Sequence, residues 1–224
     1  MASHSRTLAF DVYGTLVNTH GVVTALERLI GDKASEFSMT WRDKQLEYSF
    51  RRALMQKYEN FAVCICDALD YTCSFYQVEI SIKEKNELLE IYFSLPPFND
   101  VEDGLKKLKG NNRLFAFSNA TSDMVNALLT KANIRHYFEG VVSVDDVKTF
   151  KPNPLAYTHF LQISEADIKS TWLISSNSFD VIGAASSGMH TAWVQRSDST
   201  ILDPWGVEPE ITVKNLIELN EKIG

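Results

Sequence analysis

Apolar positions fall along the chain in two alternating patterns. Short unbroken runs lie at Thr7–Phe10, Leu114–Phe117, Gly140–Val144, Thr171–Ile174 and Thr191–Val194. Such runs, bounded by polar clusters, predict strands buried on both faces. Between them, Asp123–Ala132, Pro154–Leu161 and Phe179–Ser187 space their apolar residues near a 3.6-residue period, which predicts helices. The alternation predicts an α/β fold: a Rossmann-like parallel sheet with helices on both faces.

One stretch breaks the alternation. From Val22 to Phe93 no run reads as a strand. Apolar residues instead recur at helical spacing: Trp41, Leu46, Tyr48 and Leu54, then Phe61, Ala62, Ile65 and Leu69, then Leu88, Leu89 and Tyr92, before Pro96-Pro97 closes the region. The expected organisation is a core of residues 1–17 and 95–224, interrupted by a helical cap subdomain of residues 18–94. The cap is expected over the carboxyl edge of the sheet, where open α/β sheets bind ligands. No internal repeat or low-complexity segment is present.

Composition narrows the function classes. The 224 residues are 45% hydrophobic and 23% charged, which suits an ordinary globular core. The formal charge of −7, with no Lys/Arg stripe, argues against a nucleic-acid partner. It also means that an anionic substrate would need local cations, because the overall field does not attract it. Cys64, Cys66 and Cys73 match no common zinc spacing and have no accompanying His pair. They are expected to be buried, reduced thiols in a reducing cytoplasm. Met1–Arg6 is polar, with no signal-peptide core, and no later run reaches membrane-spanning length, so the expected location is cytoplasmic with no membrane partner. His4, His20, His136, His159 and His190 form no metal-ligand spacing and are expected to be structural or exposed.

Four polar clusters follow the predicted strands: Asp11-Val12-Tyr13-Gly14-Thr15, Ser118-Asn119, Lys151-Pro152 and Ser175-Ser176-Asn177-Ser178-Phe179-Asp180. Each has an ordinary explanation. An acid at a strand end caps a turn or helix, Ser118 and Asn119 are default N-caps, Lys151 suits a solvated loop, and Asp180 can cap its own helix. The informative feature is their conjunction, since all four would converge on one edge of one sheet.

In order and placement these clusters resemble the haloacid dehalogenase-like superfamily, over essentially the whole chain. The resemblance implies a Rossmann-like core with a cap inserted after the first strand. It implies that Asp11 is the nucleophile, with Ser118, Lys151 and Asp180 matching the Ser, Lys and acid of the later motifs. Two departures from that superfamily's phosphatases are informative. Tyr13 stands where they carry a second Asp, and Ser175 and Ser176 stand where their fourth motif carries acids. Magnesium is usually held by carboxylates, so neither a metal nor another cofactor is expected.

Both departures are features of the L-2-haloacid dehalogenase branch. The chain is similar to it at Phe10–Leu16, Trp41–Tyr48, Tyr58–Phe61, Lys151-Pro152 to Tyr157, and Ser175-Ser176-Asn177 to Asp180. That resemblance implies hydrolysis of short (S)-2-haloalkanoic acids to (R)-2-hydroxyalkanoic acids and halide, through an ester on Asp11. It implies catalytic roles for Asp11, Thr15, Arg42, Ser118, Lys151, Tyr157, Ser175, Asn177 and Asp180. It places the halide against Arg42, Asn119 and Phe179, the substrate carboxylate on Ser118, and the alkyl part against Tyr13, Leu46 and Phe61. Asp43 stands where the branch often has Gln, and an acid there should repel an anionic substrate unless it points away. The resemblance also implies a homodimer. Two other readings stay open: a phosphatase-type hydrolase on the same fold, and a catalytically inactive binding homologue. Serine-hydrolase chemistry is not indicated, because Ser118 lacks the flanking glycines of a nucleophile elbow.

Overall fold

The first strand, β1 (Arg6–Asp11), is buried from Thr7 to its last residue, as an unbroken apolar run requires. The computed structural model describes residues 6–223, so residues 1–5, with His4 and most of the polar N-terminal stretch, lie outside the described residues, as does residue 224. The chain divides into two compact units. One runs to Val17 and resumes at Pro97; the other is Asn18–Pro96.

The Asn18–Pro96 unit is helical: α1 (Val23–Ile30), α2 (Ala34–Leu54), α3 (Phe61–Tyr76) and α4 (Ile82–Tyr92). Local chemistry sets the boundaries. Asn60 caps α3 by accepting the Val63 N–H, and Gln77 ends it in the left-handed region at φ 52°. Ser81 and Glu84 form a reciprocal capping box on α4. The buried stripe of α2 is not the one its apolar residues suggest. It runs through Phe37, Trp41, Gln45 and Ser49, spaced by four. Leu46 and Tyr48 are therefore only half-buried, and Leu54 is 86% exposed. Two polar residues in the stripe hid it from a hydropathy reading. Trp41 anchors the unit, donating its indole N–H to the Ile65 carbonyl at 2.9 Å, with its ring 5.2 Å from that of Tyr92.

All three cysteines lie on α3 and are free thiols. Cys64 and Cys73 are buried, whereas Cys66 is half-buried, a departure from the expectation for all three. Burial pushes the Cys64 thiol up to about 11, so it stays protonated at neutral pH.

The other unit continues with α5 (Val101–Leu108), β2 (Asn112–Ser118), α6 (Ser122–Lys131), β3 (Gly140–Ser143), α7 (Pro154–Ser164), β4 (Thr171–Ser175), α8 (Ser178–Ser186), β5 (His190–Val194), β6 (Ile211–Val213) and α9 (Leu216–Ile223). Its six strands pair in the order β3-β2-β1-β4-β5-β6, all parallel. The apolar runs anticipated five of these strands. β6 has three residues, only one of them buried, which is too short to stand out in the sequence. Helix α5 packs on α9, and Gly104 permits the approach, because a Cβ there would lie 2.4 Å from Leu216 Cβ.

Both faces of the sheet are covered. Ala9, Phe115, Phe117 and Leu173 pack against Tyr157 and Phe160 of α7 and Ala184 of α8. Leu8, Phe10, Leu114, Ala116 and Ile174, which alternate with them and point the other way, are buried too. Burial of these side chains is the main stabilising term, at roughly 1.5–3 kcal/mol for each large one before entropy is counted. His20 and His136 are exposed, His159 is buried beside Asp146, and His190 is half-buried against Trp172. No helix among the described residues is long and apolar enough to cross a membrane.

The strand order reverses at β1, whose neighbours are β2 and β4. Asp11 pairs with Phe117, and Phe10 pairs with Ile174. The carboxyl ends of these three strands therefore present Asp11, Ser118 and Ser175 side by side at the topological switch point, where such sheets bind ligands.

Candidate active site

The loop after β1 turns tightly enough to keep Asp11 and Thr15 on one side. The Val12 carbonyl accepts N–H groups from Leu16 and Val17 at 2.9 and 3.1 Å, and Gly14 takes φ 86°, which favours glycine. The two Asp11 oxygens are treated differently. Oδ2 accepts from Thr15 Oγ1 at 2.8 Å, Asn177 Nδ2 at 2.7 Å and Ser175 Oγ at 3.2 Å. Oδ1 accepts from Lys151 Nζ at 2.9 Å. One oxygen is thus enclosed by three neutral donors, and the other faces a cation and keeps more of its lone-pair density free.

Lys151 is not a solvated loop lysine. It is 1% exposed, and its ammonium bonds Asp11, Asp180 Oδ2 at 2.6 Å and the Phe117 carbonyl at 3.1 Å. Burial works to lower its pKa, but Asp11 and Asp180 outweigh that and hold it above the usual lysine value. Asp180 is fully buried, and its other oxygen accepts the Tyr157 hydroxyl at 2.9 Å. Burial raises the Asp180 carboxyl, Lys151 opposes the rise and Asp11 adds to it, leaving it at about 6. Tyr157 is pushed well above the usual tyrosine value by burial and by the charge of Asp180, so it stays a hydrogen-bond donor. Gly183 makes this contact possible, since a Cβ there would lie 2.4 Å from the Tyr157 hydroxyl.

Helix α8 gives up its own cap to build the site. Asn177 is its N-cap residue, yet the side chain makes no capping bond. It reaches instead to Asp11 and to the Tyr13 carbonyl at 3.0 Å. Asp180, three residues on, spends its carboxylate on Lys151 and Tyr157 rather than on the helix N-terminus. An unused cap costs about 1 kcal/mol, and such violations of a local rule concentrate at functional sites. Ser118 is not an N-cap either: Thr121 caps α6, and Ser118 Oγ accepts the Ala120 N–H. Asn119 Oδ1 accepts the Lys151 backbone N–H at 2.8 Å, which ties β2's end to the lysine loop.

The sheet-bearing unit therefore brings together Asp11, Thr15, Ser118, Asn119, Lys151, Tyr157, Ser175, Asn177 and Asp180. Tyr13 is buried beside them in the chain, and Phe179 is half-buried at the start of α8. Arg42, Leu46 and Phe61 belong to the helical unit. There Arg42 lies 3.5 Å from Gln45 Oε1, Leu46 is half-buried and Phe61 is buried. Asp43 is exposed; partial burial raises its carboxyl and the charge of Arg42 opposes the rise. Ser176 escaped the sequence reading as a contributor. Its hydroxyl donates to the Gly14 carbonyl at 2.7 Å, and its N–H donates to Thr15 Oγ1 at 2.8 Å. A second Ser in a Ser-Ser-Asn run gave no signal of its own.

The donor set does not fit magnesium. The charge between the two carboxylates is supplied by an ammonium, and the hydroxyls of Ser175 and Ser176 are engaged with Asp11 and the Gly14 carbonyl. Among the described residues, no three His, Cys, Asp or Glu side chains come together in a way that could hold a metal ion.

The raised Asp180 carboxyl gives a pH dependence. A base must be ionised, so if Asp180 activates water, kcat should rise with pH through about 6 and level off above it. The sign for stability is the reverse. A carboxyl raised in the folded state above its ordinary value of 3.8 contributes stability that is present below that value and lost as pH rises through about 6. A kcat profile flat from pH 5 to 8 would remove Asp180 from the proton transfer.

Comparison with known proteins gives the chain's relatives. The family model for haloacid dehalogenase-like hydrolases matches residues 6–188. The chain is 33% identical to an (S)-2-haloacid dehalogenase of Pseudomonas sp. (strain YL), over 93% of this chain and 90% of that protein. It is 34% identical to haloacetate dehalogenase H-2 of Moraxella sp. (strain B), over 92% of each. Among solved structures it is similar to the L-2-haloacid dehalogenase of Xanthobacter autotrophicus with chloropropionic acid covalently bound. That match has a TM-score of 0.92 and 28% identity, and covers 98% of each chain.

Proposed function

Because the chain belongs to the haloacid dehalogenase-like hydrolase family, we propose that it hydrolyses the carbon–halogen bond of short (S)-2-haloalkanoic acids, giving (R)-2-hydroxyalkanoic acids and halide. The observation that carries this reading is the asymmetric setting of Asp11, with three donors on Oδ2 and, among the described residues, only Lys151 on Oδ1. Oδ1 attacks C2 in line, the C–O bond forms as the C–X bond breaks, and the halide leaves with the bonding electrons. Oδ2 becomes the carbonyl oxygen of the ester. Water then adds to that carbonyl carbon, and negative charge grows on Oδ2 where Thr15, Ser175 and Asn177 already donate, an oxyanion hole set in advance. Asp180 takes the water's proton. As the acyl C–O bond breaks, the departing alkoxide oxygen takes that proton back from Asp180, and the new Asp11 carboxyl releases the water's second proton to solvent, which regenerates the carboxylate. C2 is attacked once, so its configuration inverts.

The family resemblance supplies the remaining roles. We assign the substrate carboxylate to Ser118 and to N–H groups at the start of α6, the departing halide to Arg42, Asn119 and Phe179, and the alkyl part to Tyr13, Leu46 and Phe61. Arg42→Ala should slow ester formation about 10²-fold or more, and more for chloride than for iodide, because chloride is the poorer leaving group. Equal losses for both halides would count against the assignment. We also assign a homodimer. The apolar side chains left exposed at Leu54, Met55 and Phe75 are the surface for it. Sedimentation of the native chain should show a dimer and that of Leu54→Glu/Phe75→Glu a monomer; a native monomer would refute it.

Chloride release from each enantiomer of 2-chloropropionate, with EDTA present, tests the whole reading. Release is expected from the (S) form alone, undiminished by EDTA, with (R)-lactate as product. Turnover of generic phosphoesters in its place would favour a phosphatase.

A further inference from the structure

Arg196 follows β5 by two residues and is 12% exposed. Its guanidinium makes two charge-assisted bonds of 2.6 Å, from Nη2 to the Thr15 carbonyl and from Nη1 to Asp100 Oδ1. Its face lies over the Phe98 ring, 4.3 Å from the centroid. Asp100 is fixed in turn, accepting the Leu216 N–H at 2.8 Å through its other oxygen. A buried ion pair adds little stability over an apolar pair of similar volume, so stability alone does not account for this one.

What Arg196 touches does account for it. Thr15 joins the loop to the nucleophile: its hydroxyl has one proton, which it gives to Asp11 Oδ2 at 2.8 Å, with Ser176 Oγ as a second acceptor at 3.2 Å. Which acceptor wins depends on where the loop sits. The loop's internal bonds all return to Val12 or Val17, so they fix its shape and not its placement. Placement comes from carbonyls held from outside: Tyr13 by Asn177 Nδ2, Gly14 by Ser176 Oγ, Thr15 by Arg196 and Leu16 by the Phe98 N–H; of these, the Arg196 bond is the one made to Thr15 itself.

We propose that Arg196, anchored by Asp100, is a positioning residue for the nucleophile: it grips the Thr15 carbonyl and so aims the Thr15 hydroxyl at Asp11. The inference rests on the reading of Asp11 as the attacking group. Arg196→Met keeps the apolar stem and removes the grip. It should lower kcat about tenfold and leave KM within about threefold, since the geometry of reaction is disturbed and not the binding of substrate. Arg196→Lys, which restores one donor without the fork, should recover part of the loss.

The decisive comparison is a double-mutant cycle with Thr15→Ala, measured below the melting temperature of each variant. If Arg196 acts through Thr15, Arg196→Met should cost less than about threefold in the Thr15→Ala background. A merely structural role would lower the melting temperature and leave kcat unchanged in folded protein. Arg196→Met with kcat within about twofold of the unaltered enzyme, or the same loss in both backgrounds, overturns the proposal. Should Arg196→Met not fold, Arg196→Lys carries the same comparison. An unaltered chain that releases no halide overturns the reading of the reaction and this inference together; an active chain with a normal Arg196→Met overturns the inference alone.

Discussion

Asp11→Asn should lose about 10⁴-fold or more of kcat, with the fold intact. An amide nitrogen or carbonyl oxygen is a far weaker nucleophile than a carboxylate, and the neighbouring carboxylate, Asp180, is fully buried with its two oxygens held by Lys151 and Tyr157. Ser118 and Ser175 lie at the same sheet edge, but Ser118 is engaged with the Ala120 N–H and Ser175 with Asp11. Thr15, Ser175 and Asn177 can still donate to the amide oxygen of the substituted side chain, which is why the variant should fold. Lys151 would lose one anionic partner and keep Asp180. The measurement is halide release under excess substrate, beside circular dichroism of both proteins. Activity within tenfold of the unaltered chain would remove Asp11 from the chemistry.

Lys151→Met should be nearly as damaging, by about 10³-fold in kcat, and should also destabilise the protein. The ammonium lies between two buried carboxylates, 2.9 Å from Asp11 and 2.6 Å from Asp180. Without it Asp180 loses the larger part of what opposes its rise and keeps only the Tyr157 hydrogen bond, while burial and Asp11 still push it upward. The carboxyl would then hold its proton at neutral pH and could not act as a base. Removing one partner from a buried pair typically costs about 3–5 kcal/mol. That cost should be greatest near neutral pH and should shrink as pH falls, because protonation relieves the unpaired charge. Denaturant unfolding at pH 5 and pH 7.5 measures it. A penalty independent of pH would mean that Lys151 acts by packing rather than by charge.

How much of this was legible in the chain depended on whether a residue's role left a local pattern. Parallel strands buried on both faces write unbroken apolar runs, so five strands could be read, whereas the three-residue β6 could not. The polar clusters at strand ends could be read because each sits beside such a run. Their burial could not: Lys151 and Asp180 look like surface residues until the 140 positions separating Asp11 from Lys151 are closed by the sheet. On α2 hydropathy misled outright, because Gln45 and Ser49 occupy the buried stripe and Leu54 the exposed side. Arg196 left no signal, and Ser176 stood out only as a missing acid, since each acts on a loop far away in sequence.

In the reaction proposed, substrate carbon becomes bonded to Asp11, and water attacks the ester, not the substrate. This is tested most directly by a single turnover in ¹⁸O-labelled water, with enzyme in excess over (S)-2-chloropropionate. The hydroxyl oxygen of the first lactate should come unlabelled from Asp11, and mass spectrometry of the peptide containing Asp11 should find the new label there. Labelled lactate with an unlabelled Asp11 peptide would mean that water displaces the halide directly and that no ester forms on Asp11.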